Sequence, residues 1–263
     1  MAEAGELVAG SEIKTAYVLI GDRPKPVQYT VVDGQAVVEG CIILGTEAEV
    51  EASMERVRDN PGLLRGDVQT MGSAILGARF RWPGGRVIYE IDRGLPDPRR
   101  VRDAIAHWES RTNIRFIQRD PANEDHANYV AFVNGSGCRS AVGMRGGRQE
   151  LVLGPGCSTG NAIHEIGHAL GLWHEQSRID RDVHVRVIWS RIQNGMDHNF
   201  SQHIHDGIDV GDYDFGSIMH YPLTAFSKDG QPTMEVLSGF SGRIGQRDGL
   251  SQGDIETIRR LYP

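Results

Sequence analysis

Three histidines and a glutamate lie within residues 164–174, in the pattern HExxHxxGxxH, whose spacing suits a metal site. His164 and His168 are four residues apart, so on an α-helix both side chains project from one face and can bind the same ion. Gly171 permits the chain to reverse after that helix, which allows His174 to return as a third nitrogen ligand. Three imidazoles leave one position of a zinc ion open, as in catalytic rather than structural zinc sites.

Glu165 follows the first of these histidines and would lie beside the open position. Because zinc lowers the pKa of a bound water towards about 7, a carboxylate placed there can accept the proton of that water. Glu165 could then pass the proton to a leaving amine. The sequence therefore predicts peptide-bond hydrolysis with one Zn²⁺, and the alternative is a core helix whose histidines make ordinary hydrogen bonds. HExxH alone is a weak signal, but Gly171 and His174 make a chance match far rarer.

The elements that must position these residues can be read from hydrophobic spacing and capping residues. The zinc helix should begin after Ser158 or Thr159 and end at Gly171, which suits a left-handed cap. Alternating apolar residues predict strands at RVIYEI, IRFIQ, NYVAFV and Gln149–Leu153. An amphipathic helix is predicted at Pro98–Arg111, facing inward through Val101, Ile105 and Trp108.

The last predicted element is a helix with Ser251 and Asp254 in capping-box spacing. Its core-facing side chains should be Ile255, Ile258 and Leu261 or Tyr262.

Residues 1–72 form a separate region with its own pattern. The runs QYTVV and QAVVEGCIIL flank Asp33-Gly34, which predicts a two-strand hairpin. A helix capped by Thr46 and Glu49 should follow, with Val50, Met54 and Val57 on one face, up to Asn60-Pro61. Residues 62–72 are interpreted as a connector to a second region beginning at Ser73. The mixture predicts an α+β fold.

Composition limits the class of partner and the compartment. The 28 Lys and Arg residues against 35 Asp and Glu give a net charge of -7 without a basic stripe, so we expect no nucleic-acid partner. No stretch reaches the roughly 18 apolar residues needed for a membrane span, and the chain does not open on a signal-peptide pattern. Of three cysteines, Cys138 and Cys157 lie in Gly-rich segments that could meet, or they are two separate buried thiols.

The site motif and several further segments resemble the astacin family of metzincin zinc metalloproteases. The matching segments occur in the family's order over nearly the whole second region: SAILG near Ser73, RTNIRF at 111–116, SGC at 136–138, HEQSRIDRD from His174, SIMHY at 217–221, and IGQR with LSQGDI near the end. The resemblance implies a precursor with an inhibitory pro-segment at 1–72 and a catalytic domain at 73–263. It further implies an N-terminal subdomain (73–174) with a twisted sheet and the active-site helix, and a mostly irregular C-terminal subdomain (175–263) that ends in a helix.

The resemblance also implies roles for individual residues. Met219 would form the Met-turn beneath the ligands, and Tyr221 would be a detachable fifth zinc ligand whose hydroxyl stabilises the oxyanion. Residues 149–153 would be the edge strand that binds an extended substrate. Arg247 would favour an acidic residue just after the cleaved bond. Taken alone, Met219 and Tyr221 would more often be packed core side chains, and Arg247 would more often be a solvated arginine.

Latency is where this chain departs from the family pattern. Members usually block the zinc with the aspartate of a Phe-x-Gly-Asp motif, whereas Val38-Glu39-Gly40-Cys41 places a cysteine there. Because a thiolate is a better zinc ligand than a carboxylate, we expect Cys41 to occupy the open position in the latent form. The alternative is a buried free cysteine in a β-strand. Cleavage by an activating protease near Gly72 or Ser73, and not well before Arg65, would free a new amino terminus that pairs with Glu175.

The family's two disulfides are not both possible here. Asn113 stands where members have a cysteine, and its partner near the C-terminus is also missing, whereas Cys138 with Cys157 matches the other bridge. A disulfide favours an oxidising compartment, so we expect a secreted or extracellular protein. The expected function is a zinc endopeptidase acting on proteins or peptides.

Two alternatives to that function stay open. One is another metzincin subfamily without the tyrosine ligand, and the other is a binding module with a vestigial site. The cluster of His198, His203 and His205 is interpreted as a solvated surface.

Overall fold

The computed structural model describes residues 6–20, 23–59, 74–75, 77–203 and 207–263. The predicted connector at 62–72, the expected cleavage position at Gly72 or Ser73, Arg65 and His205 lie outside the described residues.

Within these ranges the chain forms strands and α-helices in both predicted regions. The strands are β1 (Ile13–Ile20), β2 (Arg23–Val32), β3 (Gln35–Val38), β4 (Ile42–Thr46), β5 (Ala74–Ile75), β6 (Arg86–Ile91), β7 (Arg115–Gln118), β8 (Tyr129–Val133), β9 (Cys138–Ser140), β10 (Arg148–Leu153), β11 (Val185–Val187), β12 (Gly207–Ile208) and β13 (Met234–Val236). The α-helices are α1 (Glu47–Asp59), α2 (Arg99–Arg111), α3 (Thr159–Ala169), α4 (Arg181–His184) and α5 (Gln252–Leu261). The predicted α+β fold class is confirmed.

One mixed sheet runs through both regions of the chain. Its strand order is β1-β2-β3-β4-β9-β10-β8-β6-β7, so four strands of the N-terminal region extend the sheet of the second region. The junction is a parallel pairing of β4 with β9, in which Ile42 lies opposite Ser140. The Ser140 amide donates a hydrogen bond of 2.9 Å to the Cys41 carbonyl. The N-terminal region therefore covers the sheet edge that the second region would otherwise expose.

The N-terminal region contains three consecutive antiparallel strand pairs, β1–β2, β2–β3 and β3–β4. Asp33 and Gly34 have φ of 50° and 75° and join β2 to β3, which confirms the predicted turn. The predicted single strand QAVVEGCIIL is wrong, because Glu39 and Gly40 also adopt positive φ, 48° and 64°, and divide it into β3 and β4. Cys41 thus lies at the tip of a tight hairpin rather than within a strand.

Helix α1 follows β4, and its predicted capping box is confirmed. The Thr46 amide donates to the Glu49 carboxylate at 2.8 Å, and the Glu49 amide donates back to the Thr46 hydroxyl at 3.2 Å. Of the residues predicted to share one face, Val50 is buried, whereas Met54 is exposed.

Helices α2 and α3 pack on one face of the sheet and hold the metal-binding motif in place. The predicted inward face of α2 is confirmed by the burial of Val101, Ile105 and Trp108. The indole of Trp108 donates a hydrogen bond of 3.1 Å to the Ile163 carbonyl in α3, directly before the first histidine. Because the tryptophan is fully buried, this contact fixes α3 relative to α2.

The prediction that residues 149–153 form the edge strand is wrong. These residues belong to β10, which pairs antiparallel with β9 on one side and parallel with β8 on the other. The edge of the second region is β9, a three-residue strand. Because β9 is short and lies between Gly-rich segments, a search for alternating apolar residues does not detect it.

Beyond His174 the chain is mostly irregular, as expected, and ends in α5. Ser251 and Asp254 form the predicted capping box. The Asp254 carboxylate also accepts hydrogen bonds from the Ser217 hydroxyl at 2.6 Å and from the Ile218 amide at 3.0 Å. The final helix therefore supports the turn that carries Met219. No helix in the described parts of the chain has the length and apolar character of a membrane span.

Candidate metal centre

Helix α3 and the turn after it bring the three predicted histidines together in the protein interior. Ser158 caps the helix at its start, and Gly171 reverses the chain with φ of 103°. The Nε2 atoms of His164, His168 and His174 lie 3.7, 3.4 and 3.2 Å from Cys41 Sγ. All four side chains are buried, and their ligand atoms lie within 4.8 Å of one another. The β3–β4 hairpin therefore places the Cys41 thiol at the point where the three imidazoles converge.

Two of the imidazoles are oriented by backbone acceptors on their other ring nitrogen. His164 Nδ1 lies 2.8 Å from the Ile218 carbonyl, and His168 Nδ1 lies 2.7 Å from the Leu172 carbonyl. These acceptors require a proton on Nδ1 and leave Nε2 as the lone-pair donor. Burial lowers the pKa of all three histidines, including His174, which favours the neutral form that binds metal ions.

The spacing of these atoms fits a tetrahedral zinc ion. Zinc–nitrogen bonds of about 2.0–2.1 Å and a zinc–sulfur bond of about 2.3 Å place nitrogen and sulfur about 3.5 Å apart at tetrahedral angles. The three distances from Cys41 Sγ span 3.2 to 3.7 Å, around that value. Three nitrogen donors and one sulfur donor are also a ligand set that suits zinc.

Glu165 lies beside this cluster and is fully buried. Among the described residues, neither oxygen of its carboxyl group has a hydrogen-bond partner. Burial raises its pKa well above the usual range, and the negative charge of Glu6 raises it further. A buried carboxyl group without a partner is a costly arrangement, which indicates a chemical rather than a packing role.

Met219 packs directly under the ligand helix. A Cβ atom on Gly167 would lie only 2.7 Å from Met219 Sδ, so the glycine is needed for this close approach. Met219 is buried and contacts α3, as expected for a methionine in a Met-turn.

Tyr221 is fully buried, and its ring lies against the third histidine, with 4.5 Å between the centroids of Tyr221 and His174. Its hydroxyl donates a hydrogen bond of 2.5 Å to the Glu39 carbonyl. The hairpin therefore engages the hydroxyl that was expected to act in catalysis.

Glu39 is a residue of this site that the sequence did not reveal. Its carboxylate accepts hydrogen bonds from His174 Nδ1 at 2.6 Å and from the Ser177 hydroxyl at 3.1 Å, and it forms an ion pair with His203. Burial alone would raise the pKa of Glu39, but the adjacent His203 and His174 outweigh it and hold the pKa below its usual value. The group is therefore a carboxylate held by three donors.

The interpretation of the histidine cluster as solvated surface is wrong for His203. This residue is buried, and its ring stacks on Trp173 with 3.9 Å between ring centroids. One signal in the sequence could have suggested a site, the acidic Glu39 two residues before Cys41. The stacking of His203 on Trp173 depends on tertiary contact and cannot be read from spacing.

The Arg247 side chain is only 9% exposed and lies in the same region rather than in solvent. Its Nη1 donates a hydrogen bond of 2.9 Å to the Ile218 carbonyl, the same carbonyl that orients His164. Its guanidinium forms an ion pair with the buried carboxylate of Glu6. A second acidic side chain of the N-terminal region thus contacts a cation next to the metal centre.

Glu175 lies at the edge of a cavity of about 310 Å³ that Tyr213, Asp214 and Asp254 also line. Burial raises the pKa of Glu175 to about 8, although the charge of Arg178 opposes the shift. The carboxylate accepts a hydrogen bond of 2.8 Å from the Asp214 amide. The cavity has room for a further donor at this carboxylate.

A zinc helix followed by a reversing glycine and a third histidine, with a buried methionine against the helix, defines the metzincin type of zinc site. The family model for Astacin, a family of peptidases, matches residues 76–263. The chain belongs to the astacin family, so the alternative of another metzincin subfamily is excluded. The family match and the three-histidine cluster also confirm the predicted single zinc ion.

Individual relatives agree with this assignment. Zinc metalloproteinase nas-15 of Caenorhabditis elegans is 42% identical over 186 residues, which are 69% of this chain and 32% of that protein. Meprin A subunit beta of Homo sapiens is 39% identical over 209 residues, which are 76% of this chain and 29% of that protein. The chain therefore spans about a third of the length of these two relatives.

A solved structure also matches the fold. High choriolytic enzyme 1, a hatching enzyme zinc-protease from Oryzias latipes, matches with a TM-score of 0.63 and 35% identity. The match covers 69% of this chain and 92% of that one.

The structure accounts for the cysteines and for the departure at Asn113. Cys138 and Cys157 are joined by a disulfide, and Cys41 is a buried free thiol. The Asn113 side-chain amide donates a hydrogen bond to the Tyr262 carbonyl. A hydrogen bond thus connects the end of α2 to the C-terminus where family members were expected to have a second disulfide.

Proposed function

We propose that this chain is the latent precursor of a secreted zinc endopeptidase, with residues 1–72 as the inhibitory pro-segment and residues 73–263 as the catalytic domain. The observation that carries the proposal is the position of Cys41 Sγ, 3.2 to 3.7 Å from all three histidine Nε2 atoms. A site with four protein ligands has no position left for a water or a substrate carbonyl. The precursor is inactive for this reason, and departure of Cys41 opens the site.

In the open site Glu165, Tyr221 and Met219 each have a separate role in hydrolysis. A zinc ion held by the three imidazoles supplies Lewis-acid polarisation of the scissile carbonyl and of the attacking water. Glu165 accepts the proton of that water and passes it to the leaving amine. Tyr221, freed from the Glu39 carbonyl, donates a hydrogen bond to the oxyanion. Met219 supports the ligand helix from below.

Activation follows from cleavage in the segment between α1 and β5. The family match begins at residue 76, which supports a boundary near Gly72 or Ser73. The new amino terminus enters the cavity at Glu175 and pairs with its carboxylate. Arg247, uncovered when Glu6 leaves, favours an acidic residue just after the cleaved bond. The disulfide of Cys138 and Cys157 supports an oxidising compartment.

The test measures zinc content and peptide cleavage before and after limited proteolysis. We expect one zinc per chain in both states, activity only after proteolysis, and an N-terminal residue near 73 in the active form. Glu165→Gln is the control, because it removes the proton acceptor while the histidines remain. Activity that survives this substitution, or an active form beginning well before Arg65, contradicts the proposal, and zinc binding without cleavage of any peptide favours a vestigial site.

A further inference from the structure

Arg139 is a buried cation of the catalytic domain whose partners come mainly from the pro-segment. Its Nε donates a hydrogen bond of 2.7 Å to Gln35 Oε1, and its Nη2 donates one of 2.9 Å to Asp33 Oδ2. Its remaining partner in the described structure is the Ser136 carbonyl. Only 1% of the arginine is exposed. A buried guanidinium requires hydrogen-bond acceptors. A carboxylate suits it best, because its two oxygens can accept two parallel hydrogen bonds from the arginine.

The arginine lies on β9, the strand edge that the pro-segment covers. Its neighbour Ser140 donates to the Cys41 carbonyl, so this edge aligns the inhibitory hairpin with the metal centre. When the pro-segment leaves, an extended peptide can pair with the same edge, and alternate side chains of that peptide face opposite sides of the sheet.

The register shows which side Arg139 occupies. Arg139 lies opposite Val152, which belongs to the apolar cluster of Ile43 and Ala141, whereas Leu151 and Leu153 pack into the core with α3. Arg139 thus faces away from α3, unlike Arg247, whose guanidinium lies beside the metal centre. The two arginines would contact different side chains of one bound peptide.

We propose that Arg139 determines specificity in the activated enzyme by binding an acidic side chain of the peptide substrate, in the place that Asp33 occupies in the precursor. This rests on the proposed function, because it requires a peptidase whose pro-segment departs. Asp33, in the turn between β2 and β3, then occupies the place of an acidic substrate side chain.

The test uses the proteolytically activated full chain and a set of fluorogenic peptides with one Glu moved through the three positions on each side of the cleaved bond, each paired with its Gln counterpart. We expect one position, other than the one governed by Arg247, at which kcat/KM for Glu exceeds that for Gln at least about 10-fold, as expected for a charge-assisted pair. In Arg139→Gln this ratio should fall to near 1. In Arg139→Lys, which keeps the positive charge but cannot form two parallel hydrogen bonds to a carboxylate, the ratio should be intermediate.

Two further variants separate this effect from general ones. Arg148→Gln removes an exposed arginine of the neighbouring strand β10 and should keep the wild-type ratio. Arg247→Gln should change the ratio at a different position. If Arg139→Gln does not fold, the intermediate ratio of Arg139→Lys decides the question. A ratio unchanged at every position in the Arg139 variants overturns the inference, whereas a wild type that cleaves no peptide overturns the proposed function instead.

Discussion

The Glu39 carboxylate accepts a hydrogen bond of 2.6 Å from Nδ1 of His174, so the pro-segment orients one of the metal-binding imidazoles. Metal-binding histidines usually donate their other ring N–H to an acceptor of this kind. Here it is supplied by a segment that is expected to leave, together with the thiol two residues further along. The precursor and the mature enzyme should therefore hold their zinc with different strength.

The first prediction concerns Glu39→Ala in the precursor. The substitution removes the acceptor of His174 Nδ1 and leaves the Ser177 and His203 donors without their shared carboxylate. We expect zinc affinity of the precursor to fall about 10- to 100-fold, as for other outer-shell carboxylates. Competition with a chelator measures the affinity. The processed enzyme should show no change, because residue 39 is no longer present.

Glu39→Gln is the matched control for that experiment, since it keeps an acceptor for His174 and removes only the charge. Its loss of affinity should be smaller. Equal zinc affinity of the alanine variant and the wild-type precursor would show that the hydrogen bond gives no support.

The second prediction is that Cys41→Ala makes the uncleaved precursor active. Loss of the thiol leaves one zinc position for water, while Glu39 and Glu6 still bind the pro-segment to the catalytic domain, so activity should be measurable but below that of the processed enzyme. The measurement is peptide cleavage by a chain shown to be intact on a gel. A variant that binds zinc and remains fully latent would eliminate the cysteine from the blocking mechanism.

The third prediction is that acid weakens docking of the pro-segment through Asp33. The Ser136 amide, and then Arg139, hold the pKa of Asp33 below its usual value. A lowered pKa means that the contact stabilises the docked state above the ordinary Asp pKa of about 3.9, and that this stabilisation is lost as the pH falls through the docked value. The difference in unfolding free energy between wild type and Asp33→Asn should be constant above about pH 5 and shrink below about pH 4.

Urea unfolding at a series of pH values measures this difference. Loss of zinc in acid affects both proteins alike, so it cancels in the comparison. A difference that stays the same from about pH 6 to about pH 3 would exclude Asp33 as the titrating contact.

Local rules explain what the sequence predicted correctly. The spacing of His164, His168 and His174 is set by helix geometry and one glycine, and the Asp33-Gly34 turn and the capping boxes depend on residues at most three apart. Each of these patterns has a local physical cause that can be read from the sequence. Together they predicted the metal cluster and most of the elements around it.

The features that sequence reasoning missed depend on contacts between distant residues. Glu39 takes a positive φ that is unfavourable for a glutamate, and it does so where its carboxylate and its carbonyl are both held by the catalytic domain. The ion pair of Glu6 with Arg247 joins residues 241 positions apart. No spacing rule reaches that far, so the acidic contacts of the pro-segment could not be predicted before the fold was known.

The fourth prediction compares two connections within the catalytic domain, the disulfide and the hydrogen bond of Asn113. Replacing Cys138 and Cys157 together with Ala opens a cross-link between residues 19 apart, which should cost about 3 kcal/mol of unfolding free energy. Asn113→Ala removes one side-chain hydrogen bond and should cost about 1 kcal/mol. Urea unfolding in a Glu165→Gln background avoids self-digestion. An asparagine variant as unstable as the disulfide variant would contradict this order.

The last prediction separates two roles of Tyr221. In the precursor its hydroxyl donates to the Glu39 carbonyl, whereas in the activated enzyme the same hydroxyl is proposed to stabilise the oxyanion. Tyr221→Phe keeps the ring against His174 and removes both hydrogen bonds. The activated variant should retain one zinc and lose about 10²- to 10³-fold in kcat, the usual effect of deleting one oxyanion donor, with a smaller change in KM.

The precursor of the same variant should release its pro-segment more readily after cleavage, because one anchor of the hairpin is gone. Gel filtration of the cleaved protein measures this release. If the activated Tyr221→Phe enzyme keeps full kcat while the pro-segment dissociates faster, the hydroxyl serves latency alone, and stabilisation of the oxyanion must come from the metal ion and other donors.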